Sequence, residues 1–565
     1  MRTGGFASLF TCLPVYLSTS RVLLWLLPLC FLLIFFFFPL SRILSLTFSP
    51  EAFTPENLRI TQNALLFTFY QAFLSTILTL LLGVPSAYLF ARYDFRGKSL
   101  LRALTAVPFM LPTVVVAASF NSLLGQRGLL STFQSFLFPL SRDFILHPSP
   151  FILILSAHVF YNTTIIIRIV GSALSSLDPQ LEQTARSLGA NTFRVWWNVA
   201  LPLLRPSLLA ASLLVFLFDF TSFGVILLLG GSRFSTLEVE IYLRVLRLPN
   251  LPLAALLSVI QLLCTLLFSL LYTRFAARST QQLNPRNMQQ KPRTIHQKIF
   301  VASFIFLLST FYLLPLSSLP LRSLFRSEAD RGQRGEVQYG FTTDYYTELF
   351  VNRRGSVFYV PPIQAAFNSL TYASATVILS FLFGFPAAFA LAKPTRLEKI
   401  LDPLIMLPLG SSAVMLGLGF ILSFGAWLTS PFLVPFAHTL VALPFVIRAL
   451  QPAIASIPER LRQAAASLGA SPFEVWRNID LPILRRAALS AAIFAFTVSL
   501  GEFGATLLLS RPEYPTIPVA IERFLSQPGG LNYGQAMAMA TILMLLTLVS
   551  ILLIEKFRLP HSGEF

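Results

Sequence analysis

Two carboxylates stand where carboxylates are expensive. Asp219 and Glu502 each fall inside a long apolar run, and an acid at such a depth either faces a cavity or bonds a neighbouring helix. In the first case both would line a translocation path for a cationic substrate; in the second each would only hold helices together. His158 and His438 pose the same choice between a ligand pair and two helix-end imidazoles satisfied by packing and hydrogen bonds. Cys12, Cys30 and Cys264 lie far apart with no metal-ligand spacing, so they read as packing residues and not as a disulfide framework. The stretch 92-RYDFRGKS-99 ends in Gly-Lys-Ser, as a phosphate-binding loop does, but Arg92 stands where the first glycine is required. Lys98 then reads as topological charge. The sequence carries no H-E-x-x-H, G-x-S-x-G or C-x-x-C constellation. Neither catalysis, a metal nor a cofactor is expected of this chain.

The elements that must position these residues are membrane helices. Of the 565 residues, 55% are hydrophobic and 12% charged, with 55 Phe and a mean hydropathy of +0.71. Soluble domains are about 45–50% apolar and about 25% charged, which excludes that class together with disorder and fibrous repeats. A helix crossing the bilayer needs about 20 apolar residues. Windows of that size predict an all-α polytopic membrane protein with about twelve spans: 22–40, 63–91, 100–123, 151–174, 207–229, 252–274, 298–320, 365–392, 400–426, 431–451, 487–509 and 535–556. The first is too long and aromatic for a signal-peptide core and has no small-residue cleavage site after it, so it reads as an anchor.

The net charge of +18 fits membrane topology better than nucleic acid, because the basic residues sit in short segments between apolar runs. With a cytoplasmic N-terminus, the inner segments hold 27 of the 42 Lys and Arg, including all six lysines. That bias places both termini inside. Six of the remaining arginines (Arg322, Arg326, Arg331, Arg334, Arg353 and Arg354) fall in the outer loop 321–364, where they are expected to meet an extracytoplasmic partner.

The chain repeats itself. A shift of 280 residues superposes 177-LDPQLEQTARSLGANTFRVWWNVALPLLRP-206 on 457-IPERLRQAAASLGASPFEVWRNIDLPILRR-486 with 15 of 30 positions identical. The same shift pairs His158 with His438, Arg168 with Arg448, Phe223-Gly224 with Phe503-Gly504, and Thr236 with Thr516. It does not pair the acids: Asp219 falls on Ser499 and Ser222 on Glu502. Upstream, 83-GVPSAYLFAR-92 resembles 384-GFPAAFALAK-393 at a slightly different shift. The organisation is therefore an anchor helix and outer loop (1–61), a first membrane domain (62–274), a polar cytoplasmic linker (275–297), a helix and outer loop (298–363), a second membrane domain (364–554) and a tail (555–565). Equal orientation of the repeats implies a two-fold axis along the membrane normal, a transporter-like arrangement.

The best-kept repeat is a cytoplasmic loop that reads as helix, glycine turn, helix. Residues 178–188 and 458–468 form the first helices, ended by Gly189 and Gly469 in a left-handed C′ position. Ser471, Pro472 and Glu474 supply an N-cap, N1 and N3, with Asn191 as the matching cap in the first copy. Phe193, Trp196 and Val199, and likewise Phe473, Trp476 and Ile479, are expected on one face, with Pro202 and Pro482 stopping the helix before the next span. Such a face either packs beneath its own bundle or fits a groove on a peripheral partner.

The pattern 183-QTARSLG-189 through 199-VALP-202, and 463-QAAASLG-469 through 479-IDLP-482, resembles the EAA loop of binding-protein-dependent ABC importer permeases. That motif runs Glu-Ala-Ala, three residues, Gly, nine residues, Ile-x-Leu-Pro. Ala185, Gly189, Leu201 and Pro202 match it, as do Ala465, Gly469, Leu481 and Pro482; Gln183 and Gln463 replace the leading Glu, and Thr184 replaces an Ala. The resemblance covers roughly 62–274 and 364–554. It implies a type I importer permease in fused two-half form, each loop inserting a helix into a cytoplasmic ATP-binding subunit, in two copies. It further implies an extracytoplasmic substrate-binding protein and residence in a prokaryotic cytoplasmic membrane, with ATP bound only by the partner. Fused permeases of this size resemble the thiamine and ferric-iron importers. The stretches 111-LPTVVVAASFNSLLGQRGLL-130, 157-AHVFYN-162 and 236-TLEVEIYLRVL-246 look closer to the thiamine branch. An ion-coupled secondary transporter is the rival class, and it would have no use for a duplicated coupling loop.

Overall fold

The computed structural model describes residues 21–130, 148–279, 289–328, 338–352 and 360–557. Among them the regular structure is helical apart from a two-stranded antiparallel hairpin, β1 (Phe325–Glu328) paired with β2 (Gln338–Phe341), and one isolated parallel bridge between Tyr93 and Gln290. Ten helices are long and apolar enough to cross a membrane, or up to twelve if two bent pairs each count as one span.

In the first half these are α1 (Leu23–Thr47), α2 (Pro55–Arg92), the pair α3 (Lys98–Met110) and α4 (Thr113–Leu124), then α5 (Pro150–Ser175). The short loop helix α6 (Pro179–Ser187) leads into α7 (Phe193–Phe220). Short α8 (Gly224–Gly230) and α9 (Leu237–Leu246) precede α10 (Leu251–Ser279). The second half repeats the series. It opens with α11 (Ile295–Ser323) and α12 (Gln364–Ala392), then the pair α13 (Arg396–Gly410) and α14 (Ala413–Phe424), then α15 (Leu433–Ala455) and α16 (Glu459–Ser467). It closes with α17 (Phe473–Gly501), α18 (Gly504–Leu509), α19 (Ile517–Ser526) and α20 (Gly530–Phe557).

Every expected apolar window contains helix, but four windows are not simple spans. The 100–123 and 400–426 windows turn by 109° and 96° in their middles. At the first bend, Pro112 keeps Leu111 extended at φ −75° and ψ 146°. At the second, Ser412 caps a new helix by accepting from Met415 N at 3.0 Å. The 207–229 and 487–509 windows break at residues 221–223 and 502–503, which leaves α8 and α18 as separate short helices.

Close helix approach follows the repeat. A Cβ built on Gly83 of α2 would lie 2.6 Å from Ile166 Cβ on α5. One on Gly384 of α12 would lie 3.2 Å from Val446 on α15. Ile166 and Val446 are themselves repeat partners. The missing side chain lets the backbones meet, as small residues do wherever membrane helices pack.

The chain divides into two compact units that interleave its ends with its halves: 1–45, 358–519 and 545–565 form one, and 46–357 with 520–544 the other. In the first unit the N-terminal phenylalanine run is absorbed by second-half helices. Phe31 stacks on Phe383 at 4.2 Å and Phe35 on Phe436 at 4.4 Å, and Trp25 Nε1 donates to Glu398 at 3.3 Å. Such pairs add about 0.5–1.5 kcal/mol each beyond buried area. In the second unit α11 lies against first-half helices. Ser318 Oγ donates to Ser119 O at 3.0 Å, and Phe160 meets Tyr312 with 5.2 Å between ring centroids.

Candidate functional site

The two repeated loops form as their residues dictate. Gly189 and Gly469 adopt φ of +84° and +82°, so a left-handed residue ends each first helix. Asp178 caps α6 by accepting from Gln180 N at 2.9 Å. In the second loop Ser471 and Glu474 close a reciprocal box, Ser471 N donating to Glu474 Oε2 at 2.7 Å and Glu474 N to Ser471 Oγ at 3.4 Å. Asn191 Oδ1 accepts from Arg194 N at 2.8 Å in the first.

Two expectations about these loops need correction. Pro202 and Pro482 do not stop the second helices, which run on into the spans as the continuous α7 and α17. A π-helical turn in each, Trp196–Ala200 and Trp476–Asp480, precedes the proline. Leu201 N reaches back to Trp196 O, and Leu481 N to Trp476 O. The wide turn absorbs the donor that proline lacks. It also rotates the following residues, so the exposed face is not Phe193, Trp196 and Val199. Trp196 turns inward, 6.1 Å from Tyr88, while Phe193 stacks on Trp197 at 6.1 Å and both are exposed. Trp197 escaped sequence reasoning because the repeat places Arg477 opposite it. In the second loop Phe473 stacks on Trp476 at 6.1 Å. Leu188 and Leu468, each beside its turn glycine, are 84% and 89% exposed. Gln183 and Gln463 are exposed, whereas Ala185 and Ala465 are half-buried.

Each loop is tied to the end of an earlier long helix, α2 or α12, by a different acid. In the first half Arg92 at the end of α2 pairs with Glu182. In the second, Lys393 after α12 donates to Glu459 at 2.6 Å. Arg462, the repeat partner of Glu182, instead bonds Asp480 at 2.9 Å. Lys393, and Arg462 more weakly, hold the Glu459 carboxyl below the usual carboxylate range against the upward push of desolvation.

Asp219 and Glu502 are 0% and 7% exposed. Both oxygens of Glu502 accept bonds, whereas Asp219 accepts through Oδ1 alone and its buried Oδ2 has no partner among the described residues. Asn162 Nδ2 donates to Asp219 Oδ1 at 2.7 Å, and Gln71 Nε2 to Asp219 O at 2.8 Å. Glu502 caps α18, accepting from Ala505 N at 2.8 Å and Thr506 N at 3.0 Å. Both histidines are buried beside these acids, with His158 Nδ1 at 3.6 Å from Asp219 Oδ1 and His438 Nε2 at 3.2 Å from Glu502 Oε2. His158 and His438 are not a ligand pair with each other: each is occupied within its own half. Among the described residues no group of three or more His, Cys, Asp or Glu could hold a metal ion.

Arg322 does not offer itself to an outer partner. It is 1% exposed, donates through Nη1 to Phe325 O at 2.6 Å, and lies 5.1 Å over the Tyr533 ring. Arg326 is half-buried. Arg331, Arg334, Arg353 and Arg354 lie outside the described residues.

A duplicated set of membrane helices, each carrying a capped helix–glycine–helix loop with exposed apolar side chains, defines a polytopic membrane protein of two homologous halves. The model of the family described as "Binding-protein-dependent transport system inner membrane component" matches twice, over residues 79–281 and 380–557. The chain belongs to that family. It is 28% identical over 512 residues to the thiamine transport system permease protein ThiP of Brucella abortus, covering 88% of each chain. It is 26% identical over 506 residues to ThiP of Escherichia coli, covering 87% of this chain and 88% of the other. A probable ABC transporter permease of Sinorhizobium fredii, y4fN, is 26% identical over 525 residues, covering 90% and 89%.

Proposed function

We propose that the chain is the membrane-spanning subunit of an ATP-driven importer whose substrate is thiamine. The observation that carries this reading is similarity to thiamine permeases along nearly the whole chain, both halves included. It sits in the cytoplasmic membrane of a prokaryote with both termini inside, a reading supported by the Lys and Arg bias of the inner segments. ATP is bound and hydrolysed by a separate cytoplasmic subunit in two copies, and an extracytoplasmic binding protein delivers the substrate.

The two loops dock onto that ATPase. Leu188, Phe193 and Trp197 in the first, and Leu468, Phe473 and Trp476 in the second, supply the apolar contact. Gly189 and Gly469 set the angle, and Leu201, Pro202, Leu481 and Pro482 pass the load into α7 and α17. Support comes from the exposure of Leu188, Phe193, Trp197 and Leu468 in residues that would otherwise be buried. Asp219 and Glu502 act by holding helices, as their bonds to Asn162 and to the α18 N-terminus favour, and not as a lining of the path.

Calorimetric titration of the cognate binding protein with thiamine and, separately, with ferric iron tests the substrate. Tight thiamine binding is expected; tight iron binding alone would move the chain to the iron importers. Co-purification of a phosphate-loop ATPase with the parent chain, and its loss from Gly189→Val/Gly469→Val, tests the loops. Retention of the ATPase by a folded double variant would contradict docking through them.

A further inference from the structure

The repeat and the geometry together show a trade. A shift of 280 residues puts Asp219 on Ser499 and Ser222 on Glu502, so each half has one acid and one hydroxyl at the two positions, in opposite order. Both positions flank the shared imidazole, and each keeps its side of the ring. At Nδ1, Asp219 Oδ1 lies 3.6 Å from His158 while Ser499 Oγ lies 2.7 Å from His438. At Nε2, Ser222 Oγ lies 2.8 Å from His158 while Glu502 Oε2 lies 3.2 Å from His438. A third member also corresponds, at the shift of 301 that relates Gly83 to Gly384. Ser75 Oγ is 3.1 Å from His158 Nδ1, and Ser499 Oγ donates to its counterpart Thr376 at 3.2 Å.

The two clusters overlap at the end of the loop-borne helix and the break after it, and differ in the further helix each imidazole reaches. In the first half the imidazole on α5 meets α2, the end of α7 and the break at residues 221–223; in the second, the imidazole on α15 meets α17, the break and α18. The broken spans begin in the cytoplasmic loops: α7 runs unbroken from Phe193 to Phe220, and α17 from Phe473 to Gly501. At 1.5 Å per residue each is a rod of about 42 Å, with the loop at one end and the cluster at the other. Buried polar groups inside a membrane bundle are costly unless fully bonded. A ring with hydrogen-bonding nitrogens on both edges can take its acid from either edge.

We propose that His158 and His438 are positioning residues. Each forms, with one carboxylate, a clamp that fixes the break between a loop-driven spanning helix and the short helix after it, and the acid serves from either side of the ring. The clamp keeps each break moving with α7 or α17 when the loops are displaced, and in the second half it also holds α18 through Thr506. This rests on the importer reading only for its transport readout.

The test is an exchange. Parent and variants are reconstituted with their ATPase and binding protein in proteoliposomes, and ATP-dependent thiamine uptake is measured against the concentration of loaded binding protein. Asp219→Ser and Glu502→Ser are expected to cut the maximal rate about tenfold while leaving the half-saturating concentration unchanged. Asp219→Ser/Ser222→Glu and Ser499→Asp/Glu502→Ser are expected to return it to within about threefold of the parent. Exchanges no better than the folded single variants would overturn the proposal, as would single variants at the parental rate. A raised half-saturating concentration at full maximal rate would make the acids path residues and overturn it too. If a single variant does not fold, the melting temperature decides: recovery in the exchange supports the clamp, and its absence contradicts it. Failure of the parent to take up thiamine would instead count against the substrate reading, leaving the melting comparison to judge the clamp.

Discussion

Gly189 and Gly469 isolate one physical effect. A Cβ at either would meet nothing within 4 Å, yet both have φ above +80°. Substitution therefore costs backbone strain alone, about 1–2 kcal/mol for an ordinary residue and less for Asn, which visits the left-handed region. Gly189→Asn/Gly469→Asn should keep most ATPase in co-purification, while the valine pair loses it; equal behaviour of the two pairs would show that something other than the turn matters. Trp196 and Trp197 separate packing from docking. Trp197→Ala should reduce ATPase retention with little change in melting temperature, and Trp196→Ala should lower the melting temperature, since its ring packs on Tyr88. The glycines, caps and aromatics were legible because each has a local signature. The choice between the two tryptophans was not, because a π turn changes the phase of a helix by one residue and leaves no mark in apolar periodicity.

The helices show where apolar windows suffice and where they do not. A window sees length and hydropathy, and both stay high through 100–123 although the chain turns by 109° there. Pro112 was the available signal, since the residue before a proline avoids the helical region. The crossing of α2 and α5 yields a stability prediction. Gly83→Val would press a side chain on Ile166, and overpacking of this kind costs about 1–3 kcal/mol. Thermal unfolding should show the loss and its partial recovery in Gly83→Val/Ile166→Ala; no recovery would place the strain elsewhere. The tie from α12 to α16 predicts a pH dependence. Glu459 is held below the usual carboxylate range in the folded chain. The Lys393 pair thus contributes above the unfolded carboxylate value of about 4.3 and is lost as pH falls through the lower folded value. The melting-temperature gap between parent and Glu459→Gln should be small, as both partners are largely solvated, and should close on acidification. A gap that widens in acid would reverse the sign.

For the whole molecule, the duplicated plan could be read from 15 identities in 30 residues, and the family match to both halves agrees with it. The partition of the chain ends could not. Nothing in 31-FLLIFFFF-38 says that Phe31 and Phe35 will stack on Phe383 and Phe436 more than 340 positions away. An apolar face specifies that it must be covered and not by what. The buried acids were ambiguous for a related reason: a carboxylate in a span looks the same in sequence whether it lines a path or bonds a neighbouring helix, and the bonds of Glu502 to Ala505 N and Thr506 N support the second reading. The most direct measurement of the central claim is uptake of labelled thiamine into proteoliposomes holding this chain, its ATPase and its binding protein. ATP-dependent accumulation that disappears in Gly189→Val/Gly469→Val is the predicted result. Accumulation driven by an ion gradient without the ATPase would contradict it.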